Sequence, residues 1–219
     1  MSEKFRNRRE AGTKLARKLK QEINYTDAVA ITLTPESVPV GYEVARKLEL
    51  PLDFFLVRKL GLPGCQEIVF GAVATGGARI LNNTVYMFRL SEGLIDLVAN
   101  HELKEIERCE KLYRGDRKPL NLADRTVIMV DDGLTDGSSI AAAIAALRQR
   151  APARMIVAAP VISQDALDEF RSDVDGVVTV IPPVSFGAER WYEHLPVVTD
   201  EEARHLLEQA CEESAACHA

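Results

Sequence analysis

Runs of consecutive apolar residues alternate with amphipathic stretches along most of this chain. Five runs have the length and composition of buried β-strands: 28–34, 52–57, 126–131, 154–161 and 176–181. The amphipathic stretches predict helices at 5–23, 38–50, 91–112, 138–150, 164–172 and 199–209. Because strands that are apolar throughout must be covered on both faces, the alternation predicts a parallel sheet between two helical layers, an α/β fold.

The stretch 61–90 breaks this pattern. It carries glycines at positions 61, 64, 71, 76 and 77, with short β-type runs around them. Such spacing predicts hairpins, with the sequence Thr75-Gly76-Gly77 at a turn. We therefore expect a β-rich insertion within a single domain that spans 1–219.

Composition and charge are typical of an ordinary globular domain. Of the 219 residues, 47% are apolar and 27% are charged, and the formal net charge is −6. The negative balance argues against general nucleic-acid binding, which depends on clustered Lys and Arg. No apolar run approaches the ~20 residues of a membrane span, and the amino terminus lacks the apolar core of an export signal. These features predict a cytoplasmic protein without membrane contact.

Two further features are expected to be structural. The four cysteines form no CxxC pair, so we expect reduced thiols and neither a zinc site nor a disulfide framework. The helix at 5–23 has a face rich in arginine and lysine, including Arg6, Arg8 and Arg9. We expect this face to be solvated surface.

The sequence VIMVDDGLTDGSS, residues 127–139, carries the strongest chemical signal. An apolar strand ends in Asp131 and Asp132, and a turn of glycine and hydroxyl residues leads into a helix. Ligands of doubly wound sheets bind at the carboxyl ends of strands, and the N–H groups of such a turn attract phosphate. Two carboxylates beside this cradle can hold ribose hydroxyls or a metal ion carried by the substrate. The alternative is a polar strand end whose aspartates only cap the turn.

This run resembles the ribosyl-phosphate signature of the type I phosphoribosyltransferases, in which Asp-Asp or Glu-Asp precedes a loop ending in Thr-Gly-x-Thr/Ser. The likeness extends to segments of a bacterial branch of uncharacterised members: FRNRREAG (5–12), PLDFFLVRKLGLPGCQE (51–67), FGAVATGG (70–77) and YRGDRKPLNLADRTVIMVDDG (113–133). The resemblance implies a Rossmann-like parallel sheet with a small β-rich hood. The core would comprise about 24–60 and 122–183, and the hood about 61–90 with 184–198.

Members of that family transfer ribose 5-phosphate from phosphoribosyl pyrophosphate to a nitrogen acceptor, with Mg²⁺ carried on the pyrophosphate. Catalysis depends on holding the ribose and stabilising the departing pyrophosphate. By resemblance, Asp131 and Asp132 would face the ribose hydroxyls, with any substrate-borne Mg²⁺ nearby, and Lys59 is the third catalytic candidate. Arg58 and Lys59, at the end of the second strand, would lie near the pyrophosphate. The candidate 5′-phosphate loop comprises Gly133, Leu134, Thr135, Asp136, Gly137, Ser138 and Ser139.

The departures from the family pattern cluster where phosphates bind. In place of Pro-Arg-Gly-Gly before Val-Pro-Val, the pyrophosphate loop of this chain is Thr34, Pro35, Glu36 and Ser37. Without the glycines, the backbone is less able to present N–H groups to an anion. In the second loop, Thr135-Asp136-Gly137 replaces Ala-Thr-Gly, so an acceptor-only carboxylate replaces a hydroxyl donor. A third change, Gly-Ala-Glu-Arg at 187–190 in place of Ala-Val-Gly, precedes an aromatic pair.

The added carboxylates predict weak phosphate binding. Two unit charges ~4 Å apart interact by about 4 kcal/mol at an effective dielectric near 20, and half of that weakens binding roughly thirtyfold. Asp136 would instead act as a built-in anion, capping the helix behind it and filling the cradle.

Two functions stay open at this point. One is a phosphoribosyltransferase with an unknown nitrogen acceptor and impaired phosphate handling. The other is a catalytically inactive relative that senses nucleotides or binds another protein. Either way, the expected ligand is a nucleotide or a ribose phosphate, and a homo-oligomer stays open.

Overall fold

A central parallel sheet and a smaller antiparallel sheet make up the β-structure of the computed structural model, which describes residues 4–23, 27–135, 137–183 and 188–214. The strands in chain order are β1 (Ala28–Thr32), β2 (Leu52–Phe54), β3 (Val57–Leu62), β4 (Cys65–Ala74), β5 (Ala78–Leu81), β6 (Thr126–Val130), β7 (Arg154–Ala159) and β8 (Gly176–Thr179). The central sheet has the order β2-β1-β6-β7-β8, and every pairing in it is parallel.

Helices cover both faces of the central sheet. They are α1 (Arg8–Glu22), α2 (Val38–Leu48), α3 (Thr84–Met87), α4 (Glu92–Arg114), α5 (Gly137–Arg148), α6 (Gln164–Phe170) and α7 (Asp200–Glu213). Ile128 and Val130 of β6 belong to the core formed with α1, α2, α4 and α7, whereas Val127 and Met129 belong to the core formed with α5 and α6. Successive strand residues are therefore buried on opposite faces. The predicted α/β fold is confirmed.

No helix within the described ranges is long and apolar enough to cross a membrane.

The glycine-rich stretch 61–90 supplies most of the second sheet, as its turn signals predicted, but the sheet begins earlier, at Val57, and residues 84–87 form the short helix α3. β3, β4 and β5 pair in that order, all antiparallel, and they contact α4 and α5. The predicted Thr75-Gly76-Gly77 turn joins β4 to β5. Gly76 has a φ of 76°, a left-handed conformation that favours glycine.

The apolar run 52–57, predicted as one strand, is divided between the two sheets. β2 ends at Phe54, and β3 begins at Val57. Between them, Leu56 exchanges hydrogen bonds with Thr75: its N–H donates to the Thr75 hydroxyl, and its carbonyl accepts from the Thr75 N–H, both at 2.9 Å. The chain thus leaves the central sheet to pair with β4. The sequence had predicted that Arg58 and Lys59 lie at the end of a central strand. This prediction was wrong, because both residues lie on β3 of the small sheet.

Residues 191–194 pair with the amino-terminal segment. The N–H of Phe5 donates to the carbonyl of Trp191 at 2.8 Å, and the N–H of Glu193 donates back to the carbonyl of Phe5 at 2.8 Å. Phe5 also packs on Tyr192, with ring centroids 5.5 Å apart. Residues 184–187 of the predicted hood lie outside the described residues, so the extent of the hood stays a prediction.

Candidate functional site

The loops singled out in the sequence meet at one position of the central sheet. From β1 the chain moves outward to β2, whereas β6, β7 and β8 extend from the other side of β1. The strand order therefore reverses between β1 and β6, and ligands of open α/β sheets bind at the carboxyl end of such a switch point. Residues 34–37 follow β1, and residues 131–135 follow β6.

Asp131 is buried at the end of β6, with only 8% of its surface exposed. Its N–H donates to the carbonyl of Ala158 at 3.0 Å, and its Oδ1 accepts the N–H of Gly133 at 2.9 Å. Burial, together with the charge of Asp132, raises the pKa of Asp131 to about 7, while the Gly133 N–H acts in the opposite direction. This carboxyl group can therefore exchange a proton near neutral pH.

Asp132 is held by the amino-terminal helix and by the 191–196 segment. Nε of Arg8 lies 2.8 Å from Oδ2 of Asp132, and the guanidinium of Arg8 also donates to the carbonyl of Pro196. The hydroxyl of Tyr192 donates to the backbone carbonyl of Asp132 at 2.6 Å. Burial, followed by the charge of Asp132, raises the pKa of Tyr192 well above its usual range, so the phenol remains a donor. The two adjacent aspartates thus have different environments. Asp131 is buried and has a pKa near neutral pH, whereas Asp132 is paired with the guanidinium of Arg8.

The loop that follows β1, residues 34–37, is closed by hydrogen bonds between its own first and last residues. Pro35–Ser37 forms a 3₁₀ turn, and α2 begins directly after it. The N–H of Ser37 donates to Oγ1 of Thr34 at 3.2 Å, and the N–H of Thr34 donates to Oγ of Ser37 at 3.2 Å, which together make a capping box. Pro35 has no N–H group. Most donors that such a loop could offer to an anion are therefore absent or already bonded.

Glu36 adds a carboxylate to the same region. It is partly exposed within the 3₁₀ turn, and its charge contributes to the raised pKa of Asp131. Glu36 and Asp131 therefore interact electrostatically. Within the described ranges, no group of three or more His, Cys, Asp or Glu side chains is arranged to hold a metal ion.

The loop after Asp132 is described up to Thr135 and again from Gly137. Leu134 is tied to the neighbouring segment: its N–H donates to the carbonyl of Val161 at 3.0 Å, and its carbonyl accepts the N–H of Ser163 at 2.8 Å. A Cβ on Gly137 would come within 2.6 Å of Cβ of Glu169 on α6. Glycine at this position is thus required by the close approach of α6, whatever ligand the loop binds.

Asp136 and the side chain of Ser138 fall outside the described part of the chain, and Ser139 is exposed. The idea that Asp136 caps α5 stays a prediction. The two predicted basic residues of the pyrophosphate site lie on β3, where Arg58 pairs with Glu102 of α4. Lys59 lines a groove beside Ala141 and Ala145 of α5.

Arg8 and Tyr192 were missed as site residues. Arg8 had been assigned to a solvated basic face, but only 8% of it is exposed. A signal existed, because Ala11, Gly12 and Leu15 follow it at the i+3, i+4 and i+7 positions of the apolar face. Its place on that face, together with the nearby carboxylates, explains why a charged side chain is buried there.

Comparison with known proteins identifies the family. Residues 3–191 match the model of the phosphoribosyl transferase domain. The chain belongs to the phosphoribosyl transferase family. Relatives from two strains of Mycobacterium tuberculosis, which carry the provisional name phosphoribosyl transferase, are 33% identical over 208 residues, covering 94% of this chain and 47% of theirs. The chain thus spans about half the length of the curated relatives it matches.

A solved structure shares this architecture across nearly its full length. The protein TT1426 from Thermus thermophilus superposes with a TM-score of 0.85 at 32% sequence identity, covering 94% of this chain and 98% of that chain. The fold of this chain is therefore shared with a solved protein over nearly the whole of both chains.

Proposed function

We propose that this phosphoribosyl transferase family member recognises the ribose of a nucleotide or ribose phosphate, and that it binds phosphoribosyl pyrophosphate weakly. In this proposal Asp131 and Asp132 accept hydrogen bonds from the ribose hydroxyls. The protein would then act mainly as a nucleotide-sensing module with little or no transferase activity.

The closed loop after β1 is the observation that carries this proposal. Its Thr34–Ser37 capping box uses the N–H groups of both residues. Opening the loop to receive pyrophosphate would sacrifice a helix cap, which costs about 1 kcal/mol. Glu36 would then oppose the bound anion by a further ~2 kcal/mol, even at half the full Coulomb term. Together these costs correspond to a loss of roughly a hundredfold in affinity.

Transferase activity is the second candidate, and the retained aspartate pair favours it. In that reaction the bond between ribose C1 and the pyrophosphate oxygen breaks, and its electron pair leaves with the pyrophosphate, whose charge a substrate-borne Mg²⁺ ion would offset. The lone pair of an acceptor nitrogen forms the new bond to C1. The ion would come as part of the substrate, since Mg²⁺ is commonly held by one or two carboxylates together with substrate phosphates. Asp131 and Asp132 would orient the ribose while positive charge develops on its ring.

Calorimetric titration distinguishes these candidates. The purified protein is titrated separately with phosphoribosyl pyrophosphate and Mg²⁺, and with ribose 5-phosphate. We expect phosphoribosyl pyrophosphate to bind no more tightly than ribose 5-phosphate, and we expect Asp131→Asn to weaken the binding of both ligands. A micromolar or tighter dissociation constant for phosphoribosyl pyrophosphate at moderate salt would instead support the transferase.

A further inference from the structure

A cleft of about 380 Å³ opens at the edge of the central sheet, among elements that the ribose site does not use. Its walls are the loop 118–122 before β6, the turn at Thr75 of the small sheet, and Arg150 beyond the end of α5. The ribose loop and Arg150 lie at opposite ends of α5. Since α5 has 12 residues, these ends are separated by ~18 Å.

The inner surface of the cleft is apolar and carries no net charge. Phe54, Phe55 and Leu122, all buried, line it. The charged residues on this surface neutralise each other, because Nη2 of Arg114 lies 3.0 Å from Oδ1 of Asp53. Arg114 makes further bonds to Glu110 and to the carbonyl of Phe54, so its guanidinium is committed to the protein. This surface suits a flat apolar group.

The rim of the cleft is cationic. Lys118 is exposed, and it forms no ion pair with any residue that the structure describes. Arg150 donates to the carbonyl of Thr75 at 2.7 Å, and it likewise has no carboxylate partner among the described residues. In a chain with a net charge of −6, two unopposed cations on one cleft select for an anion.

The cleft is built before any ligand arrives. The loop wall is fastened by Arg117, which donates to the carbonyls of Tyr113 at 2.8 Å and Leu207 at 3.1 Å. The N–H of Leu120 donates to Oδ2 of Asp53 at 2.9 Å. A preorganised site loses less entropy when it binds a ligand.

Gly76 leaves the space that Arg150 occupies. A Cβ on Gly76 would lie 1.8 Å from Nη2 of Arg150, so the turn of the small sheet fits around this guanidinium. The Thr75-Gly76-Gly77 sequence therefore has a specific structural consequence, since it seats a cation at the cleft rim.

We propose that this cleft is a second ligand site, which binds a phosphate monoester carrying a flat apolar group, such as a nucleoside 5′-monophosphate. A phosphate monoester carries ~2 negative charges at neutral pH, matching Lys118 and Arg150. The base would pack on the apolar inner surface. The cleft volume of about 380 Å³ falls within the usual range of small-molecule sites. This proposal does not depend on the function of the ribose site.

Calorimetry with adenosine 5′-monophosphate tests the second site. The variants are Lys118→Ala and Arg150→Ala for the cleft, and Asp131→Asn for the ribose site. Lys104→Ala and Arg154→Ala, at exposed positions, are matched controls for the loss of charge. We expect each cleft variant to weaken binding at least tenfold, and Asp131→Asn and both controls to leave this binding event in place. Adenosine alone and inorganic phosphate alone should each bind at least tenfold more weakly.

Three results would overturn the second site. They are the absence of saturable binding at low millimolar nucleotide, an affinity within threefold of wild type in Lys118→Ala, and the loss of all binding in Asp131→Asn. Arg150→Ala also removes a bond to the small sheet, so its thermal unfolding is compared with wild type. If that variant does not fold, Lys118→Ala decides, because its exposed side chain makes no recorded hydrogen bond in the described part of the chain. Loss of ribose binding alone would affect only the function proposed for Asp131 and Asp132.

Discussion

Replacing Arg8 with methionine removes the cation from Asp132 while keeping a long apolar side chain in place. In the wild type, Nε of Arg8 lies 2.8 Å from Oδ2 of Asp132, and the two side chains are only 9% and 18% exposed. At an effective dielectric near 20, Coulomb's law gives about 6 kcal/mol for this pair, before desolvation is subtracted. Removing one partner of a buried pair costs ~3–5 kcal/mol. We expect Arg8→Met to lower the unfolding free energy by about 3 kcal/mol at pH 8.

The size of this loss should depend on pH. Without the guanidinium, the charge of Asp132 is no longer offset, so Asp131 in the folded variant takes up a proton more readily than it does in the wild type. A folded state that binds protons more tightly than the unfolded state loses stability as the pH rises. The difference between variant and wild type should therefore be largest at pH 8 and should shrink toward pH 5.

Urea unfolding, followed by the fluorescence of the single tryptophan, measures this effect. Trp191 lies in the segment that pairs with the amino terminus, where its carbonyl accepts the N–H of Phe5 at 2.8 Å, so its fluorescence reports on the packing of that segment. Arg9→Met is the matched control, since Arg9 is exposed on the same helix. In an Asp132→Asn background, most of the cost of Arg8→Met should disappear. The reasoning fails if Arg8→Met lies within about 0.5 kcal/mol of Arg9→Met at pH 8, or if Asp132→Asn leaves its cost unchanged.

Three further predictions concern the aspartates and the closed loop. Because the pKa of Asp131 is raised from 3.8 to about 7 in the folded state, the contribution of Asp131 to stability should fall as the pH rises from 4 to 7. In urea unfolding, Asp131→Asn should lack this contribution and should be more stable than the wild type at pH 8. Asp136→Thr should strengthen ribose 5-phosphate binding roughly tenfold or more in calorimetry, with a change of only ~0.5 kcal/mol in stability, and unchanged affinity would exclude the built-in anion. The double variant Glu36→Gly and Ser37→Gly should lower the unfolding free energy by about 1 kcal/mol, since it removes the cap. The same variant should bind phosphoribosyl pyrophosphate at least tenfold more tightly in calorimetry. An unchanged affinity would show that the closed loop does not limit binding.

The fold could be predicted because its signals are local. The central strands are mostly apolar, as in Val127 to Val130, since alternate residues face two different helical layers. The turn at Thr75–Gly77 was equally readable, because a left-handed backbone at Gly76 favours glycine. The end of β2 could not be predicted from the sequence. Apart from Asp53, the run 52–57 is apolar and has no turn residue between Phe54 and Val57, so only the exchange of hydrogen bonds between Leu56 and Thr75 shows that it is divided between two sheets.

The aspartate pair could be located from the sequence, but its environment could not. Asp131 and Asp132 are identical as residues, and the partners that hold Asp132 come from distant segments. Arg8 is separated from Asp132 by 124 positions, and Tyr192 by 60. No local sequence pattern predicts a contact between residues so far apart in the chain. Such partners become visible only when the packing of α1 and of the 191–196 segment is known.

The residues that replace the family's glycines in the loop after β1 have a structural role of their own. Thr34 is a helix cap, Pro35 occupies the first turn, and Glu36 is an acidic residue where the helix dipole favours one. These are the residues of a helix start, and the structure shows Thr34 and Ser37 bonding each other reciprocally. The N–H groups of Thr34 and Ser37 are thus satisfied by the protein itself. If Asp136 caps α5 in the same way, both predicted phosphate loops hold an internal acceptor where an external anion would bind, and the weak phosphate binding that we expect at both loops has one physical cause.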